Sequence, residues 1–152
     1  MSLQYPFTDL PSAGTRFKVA EGVYWLRFPL PFALDHINLW LLEDGDGWTV
    51  VDTGLGVRSS QKIWDTLLNE QLDGKPLTRI VVTHYHPDHL GMAGWLQQRC
   101  QAPVVTSAGE WALASMICAS SDEQSISGFK AFLGSHGLGG EVLDQVAGKG
   151  NG

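Results

Sequence analysis

The sequence predicts an α/β domain, a mixed sheet with helices on its outer face, and three local patterns carry that expectation. Two β-rich runs flank Asp44-Gly45-Asp46-Gly47, a segment with four-residue apolar spacing follows, and a strand, a helix and a further strand succeed one another downstream. The 152 residues suit one domain over 1–152, and 43% apolar against 17% charged residues is the composition of a globular chain with a packed core.

Phe17 to Ala20 and Val23 to Phe28 are short β-rich runs parted by Glu21-Gly22, and Pro29 and Pro31 close the second, as strands joined by a tight turn require. Ile37 to Leu42 and Trp48 to Val51 form a hairpin, because Asp-Gly pairs tolerate the positive φ of its turn. In the first of these strands Ile37, Leu39 and Leu41 point one way and Trp40 and Leu42 the other. Both faces being apolar except at Asn38, the sheet is expected to be covered on both sides.

From Arg58 to Leu72 the pairs Ile63/Leu67 and Trp64/Leu68 recur four apart, with Ser59 or Ser60 available as N-cap, and Asp73-Gly74-Lys75-Pro76 stops the helix. Arg79 to Thr83 is a β-branched run, Gly91 to Cys100 is helical with Met92, Trp95 and Leu96 on one side, and Pro103 to Thr106 is a strand. That succession predicts a parallel βαβ unit. Ala108 to Ser120, Ser127 to Leu133 and Glu141 to Val146 read as further helical stretches before a terminus expected to fray.

Ten Lys+Arg against sixteen Asp+Glu give a net charge of −6, which argues against nucleic acid or an anionic membrane as partner. The longest uncharged stretches, such as Trp111 to Ser121, fall short of the ~20 apolar residues of a spanning helix, and the start has no basic-then-apolar leader, so the chain reads as cytoplasmic. Cys100 and Cys118 lie apart in apolar surroundings with no Cys-x-x-Cys, which makes them packing residues rather than a disulfide or a thiolate metal site.

Three of the five histidines fall within His84-Tyr85-His86-Pro87-Asp88-His89, directly after the strand ending at Val82-Thr83. If His84 and His86 continue the strand, the period of two sets both imidazoles on one side, and Pro87 then forces a turn. Asp88 and His89 come off that turn at the mouth of the next helix, within reach of a second position. Neutral imidazole and carboxylate suit zinc, iron or manganese, as one ion or two. The bland alternative, an exposed polar turn, gives such a cluster little to do for folding.

The motif His84-x-His86-x-Asp88-His89 after an apolar strand, preceded by the strand-end Asp52-Thr53-Gly54, resembles the metallo-β-lactamase superfamily. The resemblance implies an αβ/βα four-layer sandwich with a mono- or dinuclear metal site at one edge, most simply one or two Zn2+. It implies that His84 and His86 ligate the first metal, that Asp88 and His89 ligate the second, and that Asp52 supports the site from its strand end. An Asx-turn before Gly54 is the local alternative for Asp52.

The family also draws a third histidine, a bridging aspartate and a last histidine from further along its chain, and none is matched here. His136 remains in sequence order but follows a helix-like stretch, and reads as a loop histidine. His36, just before a strand, reads as a surface or capping residue, with the alternative that it leans into the cleft. The chain thus corresponds to the N-terminal half of the sandwich, either truncated or completed by another copy in a homo-oligomer, with truncation the preferred expectation. The implied activity is hydrolysis of a small-molecule ester, thioester, lactone or amide by a metal-bound hydroxide, with Asp88 as catalytic proton acceptor. The rivals are a single-iron sulfur-dioxygenase-type enzyme and a metal-binding half-domain without turnover.

Overall fold

The computed structural model describes residues 6–119 and Ser127. Two compact units divide the chain, Met1–Trp111 and Ala112–Gly152. The expected stretches Ser127 to Leu133 (beyond Ser127) and Glu141 to Val146, together with His136, lie outside the described residues.

Strands β1 (Phe17–Ala20), β2 (Val23–Pro29), β3 (His36–Asp44) and β4 (Gly47–Val51) form an antiparallel meander, and β5 (Leu77–Val81) and β6 (Val104–Val105) continue the sheet in parallel. The sheet order is β1-β2-β3-β4-β5-β6, so the mixed α/β sheet is as the sequence predicts. Asp44 pairs with Gly47 across the hairpin, and Gly45 takes the left-handed φ of 61° that the turn demands. Helices α1 (Arg58–Glu70), α2 (Pro87–Leu90) and α3 (Ala93–Cys100) fill the two parallel crossovers, and α4 (Ala108–Ala119) follows β6.

One face of the sheet carries Leu26, Phe28, Leu39, Leu41, Trp48, Val50 and Ile80, which join Trp64 and Leu67 of α1 and Leu96 of α3 in a single buried core. The in-register neighbours on the other face, Trp25, Trp40, Val51, Val81 and Val105, make an apolar stripe across five strands. Trp40 and Val105 on that stripe are exposed. Cover on both sides, the sequence expectation, is therefore not seen among the described residues: helices bury one face only.

Three local readings are corrected. Helix α1 starts at Arg58 with Val57 as its N-cap and no side-chain cap, so neither Ser59 nor Ser60 caps it. Ser60 is instead buried in the first turn. Strand β5 ends at Val81; the Val82 amide still bonds the Val105 carbonyl at 2.9 Å, and the backbone bends from Thr83 to Tyr85. The histidines therefore do not continue the strand. Cys100 packs beside the core as expected, and burial pushes its thiol pKa up, which suits an unreactive packing residue. Among the described residues no helix is long and apolar enough to cross a membrane.

Trp64 ties this core to the loop beyond β4, since its indole N–H donates to the carbonyl of Thr53 at 2.7 Å inside the protein. Replacing Trp64 by Phe keeps most of the ring but leaves that carbonyl unpaired. The expected loss of stability in urea unfolding is about 1–3 kcal/mol, concentrated in the protection of amides around residues 52–56.

Candidate metal centre

Both loops that build the site leave the carboxyl ends of neighbouring parallel strands, where α/β sheets place their ligands. Asp52 follows β4 and the segment from Thr83 to His89 follows β5. Asp52 adopts φ 62°, a left-handed conformation that costs a non-glycine residue about 1 kcal/mol or more. The turn carries its carboxylate sideways, under the β5 loop.

There the carboxylate is almost wholly buried and fully used. Asp52 Oδ1 accepts the backbone N–H of Thr83 at 2.8 Å, both oxygens lie within 3.0 Å of the Thr83 hydroxyl, and Oδ2 lies 2.8 Å from His89 Nδ1. None of these bonds is local, so the Asx-turn alternative for Asp52 falls away.

Pro87 sits at the first position of α2 and fixes where the helix starts, which brings Asp88 and His89 into its first turn. The His89 carbonyl accepts both the backbone N–H (2.8 Å) and the hydroxyl (2.7 Å) of Thr53, so α2 is pinned to the Asp52 loop from main chain and side chain. Gly91, just past α2, lies so close to this loop that a Cβ there would come within 2.4 Å of Gly56 N and of Pro87 O. Only glycine permits that approach.

The bend brings the ring centroids of His84 and His86 to 4.5 Å and those of His84 and His89 to 3.8 Å. The four sequence-predicted donors come together as two pairs. His84 Nε2 faces His86 Nδ1 at 3.0 Å, and Asp88 Oδ2 faces His89 Nε2 at 3.6 Å. Two donors bound to one tetrahedral zinc at about 2.0–2.1 Å stand about 3.3 Å apart, so each pair has close to the spacing of one edge of such a site. The donor chemistry, three imidazoles and a carboxylate without thiolate, fits a divalent metal. Among the described residues no three donors converge as a ready-made site; the pairs are edges rather than complete polyhedra.

Two contacts escape sequence reasoning. The hydroxyl of Thr83 touches both Asp52 and His84 Nδ1, the latter at 3.0 Å; its place directly before the first histidine was the available signal. Glu110 of α4 accepts the backbone N–H of Tyr85 at 2.8 Å, which holds the bend between His84 and His86. Nothing in the sequence around Glu110 points to that role. His36 stands apart from the histidine cluster in its bonding. Its Nδ1 lies 2.9 Å from Arg27 Nη2 and bonds the Asp35 carboxylate, whose pKa that bond holds below the usual range. It lines a cavity of about 170 Å3 with Arg27, Asp35 and Pro29.

Comparison with known proteins shows the family. Residues 33–148 match the family model described as the metallo-beta-lactamase superfamily. The chain is similar to human acyl-coenzyme A thioesterase MBLAC2, at 31% identity over 80 residues, covering 48% of this chain and 28% of that protein. It is also similar to the probable metallo-hydrolase YqjP of Bacillus subtilis, at 31% over 77 residues, or 47% and 23% of the two chains. Among solved structures, a beta-lactamase domain protein from Burkholderia ambifaria aligns with TM-score 0.70 at 44% identity, over 81% of this chain and 39% of that one. A metallo-beta-lactamase family protein from Thermus thermophilus, TTHA1429, aligns with TM-score 0.65 at 27% identity, over 86% and 43%. The chain thus spans less than half the length of each of these relatives.

The clamp from Glu110 is open to direct measurement. A charge-assisted bond of this kind contributes about 1.5–3 kcal/mol. Glu110→Ala should therefore speed hydrogen exchange at the Tyr85 amide by roughly 10- to 100-fold, whereas Glu110→Gln, which keeps an acceptor oxygen, should recover most of the protection.

Proposed function

The chain belongs to the metallo-beta-lactamase superfamily, and from that premise we propose that it carries the metal-binding loops of a hydrolase that opens an ester, thioester, lactone or amide carbonyl of a small molecule. The observation that carries the reading is the pairing of donor atoms, His84 Nε2 with His86 Nδ1 and Asp88 Oδ2 with His89 Nε2. In this reading the first pair holds one divalent ion and the second pair another, with zinc the first choice and iron or manganese suited to the same donors. When bound, such an ion supplies Lewis acidity and a water that gives up its proton near neutral pH.

The rest falls to the chain's own side chains. Asp52 takes the Nδ1 side of His89 and leaves Nε2 open toward Asp88. Asp88 keeps about a quarter of its side chain exposed, so it can both donate an oxygen to the site and accept a proton from the attacking water. Two protein donors per pair leave further positions for water, substrate and donors outside the described residues. Thioesters are the first substrates to try, because a relative at 31% identity is named an acyl-coenzyme A thioesterase. A net charge of −6 supports a small-molecule substrate over nucleic acid.

Elemental analysis of the purified chain, followed by assays on acyl-thioester and nitrophenyl-ester substrates, tests the proposal. One to two equivalents of divalent metal are expected, with hydrolysis lost on chelation and regained on adding zinc. Asp88→Ala should lower turnover by at least about 100-fold with the circular dichroism spectrum unchanged. A chain that retains no metal from micromolar zinc, or an Asp88→Ala variant with an undiminished rate, overturns the reading. Bound iron with oxygen consumption in place of hydrolysis would transfer it to the dioxygenase class.

A further inference from the structure

The side chain of Thr83 stands between the buried carboxylate and the first histidine of the cluster. Its Oγ1 lies 2.8 Å from Asp52 Oδ2, 3.0 Å from Asp52 Oδ1 and 3.0 Å from His84 Nδ1. A hydroxyl has one proton to donate, and an ionised carboxylate can only accept. If the proton pointed to His84, oxygen lone pairs would face each other across the 2.8 Å contact with Asp52. The proton therefore goes to Asp52, and the oxygen is left to accept from a protonated His84 Nδ1.

We infer that Thr83 is a positioning residue that relays Asp52 to His84, fixing that imidazole as the Nδ1–H tautomer so that its Nε2 lone pair faces His86. Asp52 does the same for His89 directly, through the 2.8 Å contact with Nδ1. A single carboxylate thus sets two imidazoles, one in each donor pair, and leaves both Nε2 atoms free to bind an ion. The purpose of this arrangement rests on the metal reading above; the tautomer assignment itself rests on hydrogen bonds alone.

Thr83→Val is a clean probe, because it keeps the β-branched shape and the backbone N–H that Asp52 accepts at 2.8 Å, and replaces only the hydroxyl by a methyl. Two readouts apply: the histidine tautomers of the metal-free chain by long-range 1H–15N correlation, and zinc affinity by competition with a chelator. In the wild-type chain His84 and His89 should both be Nδ1–H. In Thr83→Val, His84 should lose that single tautomer while His89 keeps it, and zinc affinity should fall about 10-fold or more, as losses of such outer contacts do. Thr83→Ser should restore both. The inference is overturned if His84 stays Nδ1–H in Thr83→Val, or if His84 and His89 change together, which would mark a general loosening of the site. Failure of the wild-type chain to bind zinc would overturn the metal reading instead, and the tautomer comparison would still decide the role of Thr83.

Discussion

The carboxylate of Asp52 is the point from which the site is organised. Asp52 as a residue is 5% exposed, and a buried carboxylate is costly unless its oxygens are filled with hydrogen bonds. Here those bonds come from the backbone and hydroxyl of Thr83 and from His89. Because each donor comes from the loop after β5 or from α2, satisfying the carboxylate and assembling the site are one event. The left-handed backbone at Asp52 fits this account. A residue that continued β4 would point its side chain along the sheet normal, whereas the turn at φ 62° carries it across to the neighbouring loop, and the bonds formed offset the local strain.

The topology of the sheet makes that reach short. Strands β4 and β5 are parallel and adjacent, with Val51 beside Val81, so the residues that follow them emerge side by side. Thr53 and Gly54 then take up the free backbone groups of α2 and its exit: Thr53 binds the His89 carbonyl, and the Gly54 carbonyl accepts the N–H of Met92. On the far side Trp64 fastens the Thr53 carbonyl to α1. Core packing and site geometry therefore share a loop, and the buried tryptophan is as much a part of the site's foundation as the polar residues are.

Much of this was legible in the sequence, and what was missed has a common cause. The hairpin, the parallel βαβ unit and the amphipathic first helix follow from local turn chemistry and apolar period, and the structure has all three. The histidines and Asp88 stood out because such side chains in so short a run have little structural use. The backbone beneath them did not: a strand of period two and a bend both place His84 and His86 together, and the bend is what is found. Glu110 was invisible because its contribution is one bond to a backbone amide 25 residues away, fixed by where α4 lies against the loop. The second apolar face was legible only at Trp40 and Leu42, because the stripe from Trp25 to Val105 depends on strand register.

The two donor pairs are not independent of each other. His84 belongs to one and His89 to the other, yet their rings lie 3.8 Å apart and both lead back to the same carboxylate, one through Thr83 and one directly. Under the proposed relay a change of the Thr83 hydroxyl acts first on the pair that contains His84. A change at Asp52 acts on both, and also leaves the Thr83 amide and hydroxyl without their acceptor. Under the proposed relay the widest influence belongs to Asp52, since it bears on which nitrogen of each ring carries the proton, and the identity of that nitrogen decides whether the facing atoms repel, bond to each other or bind an ion.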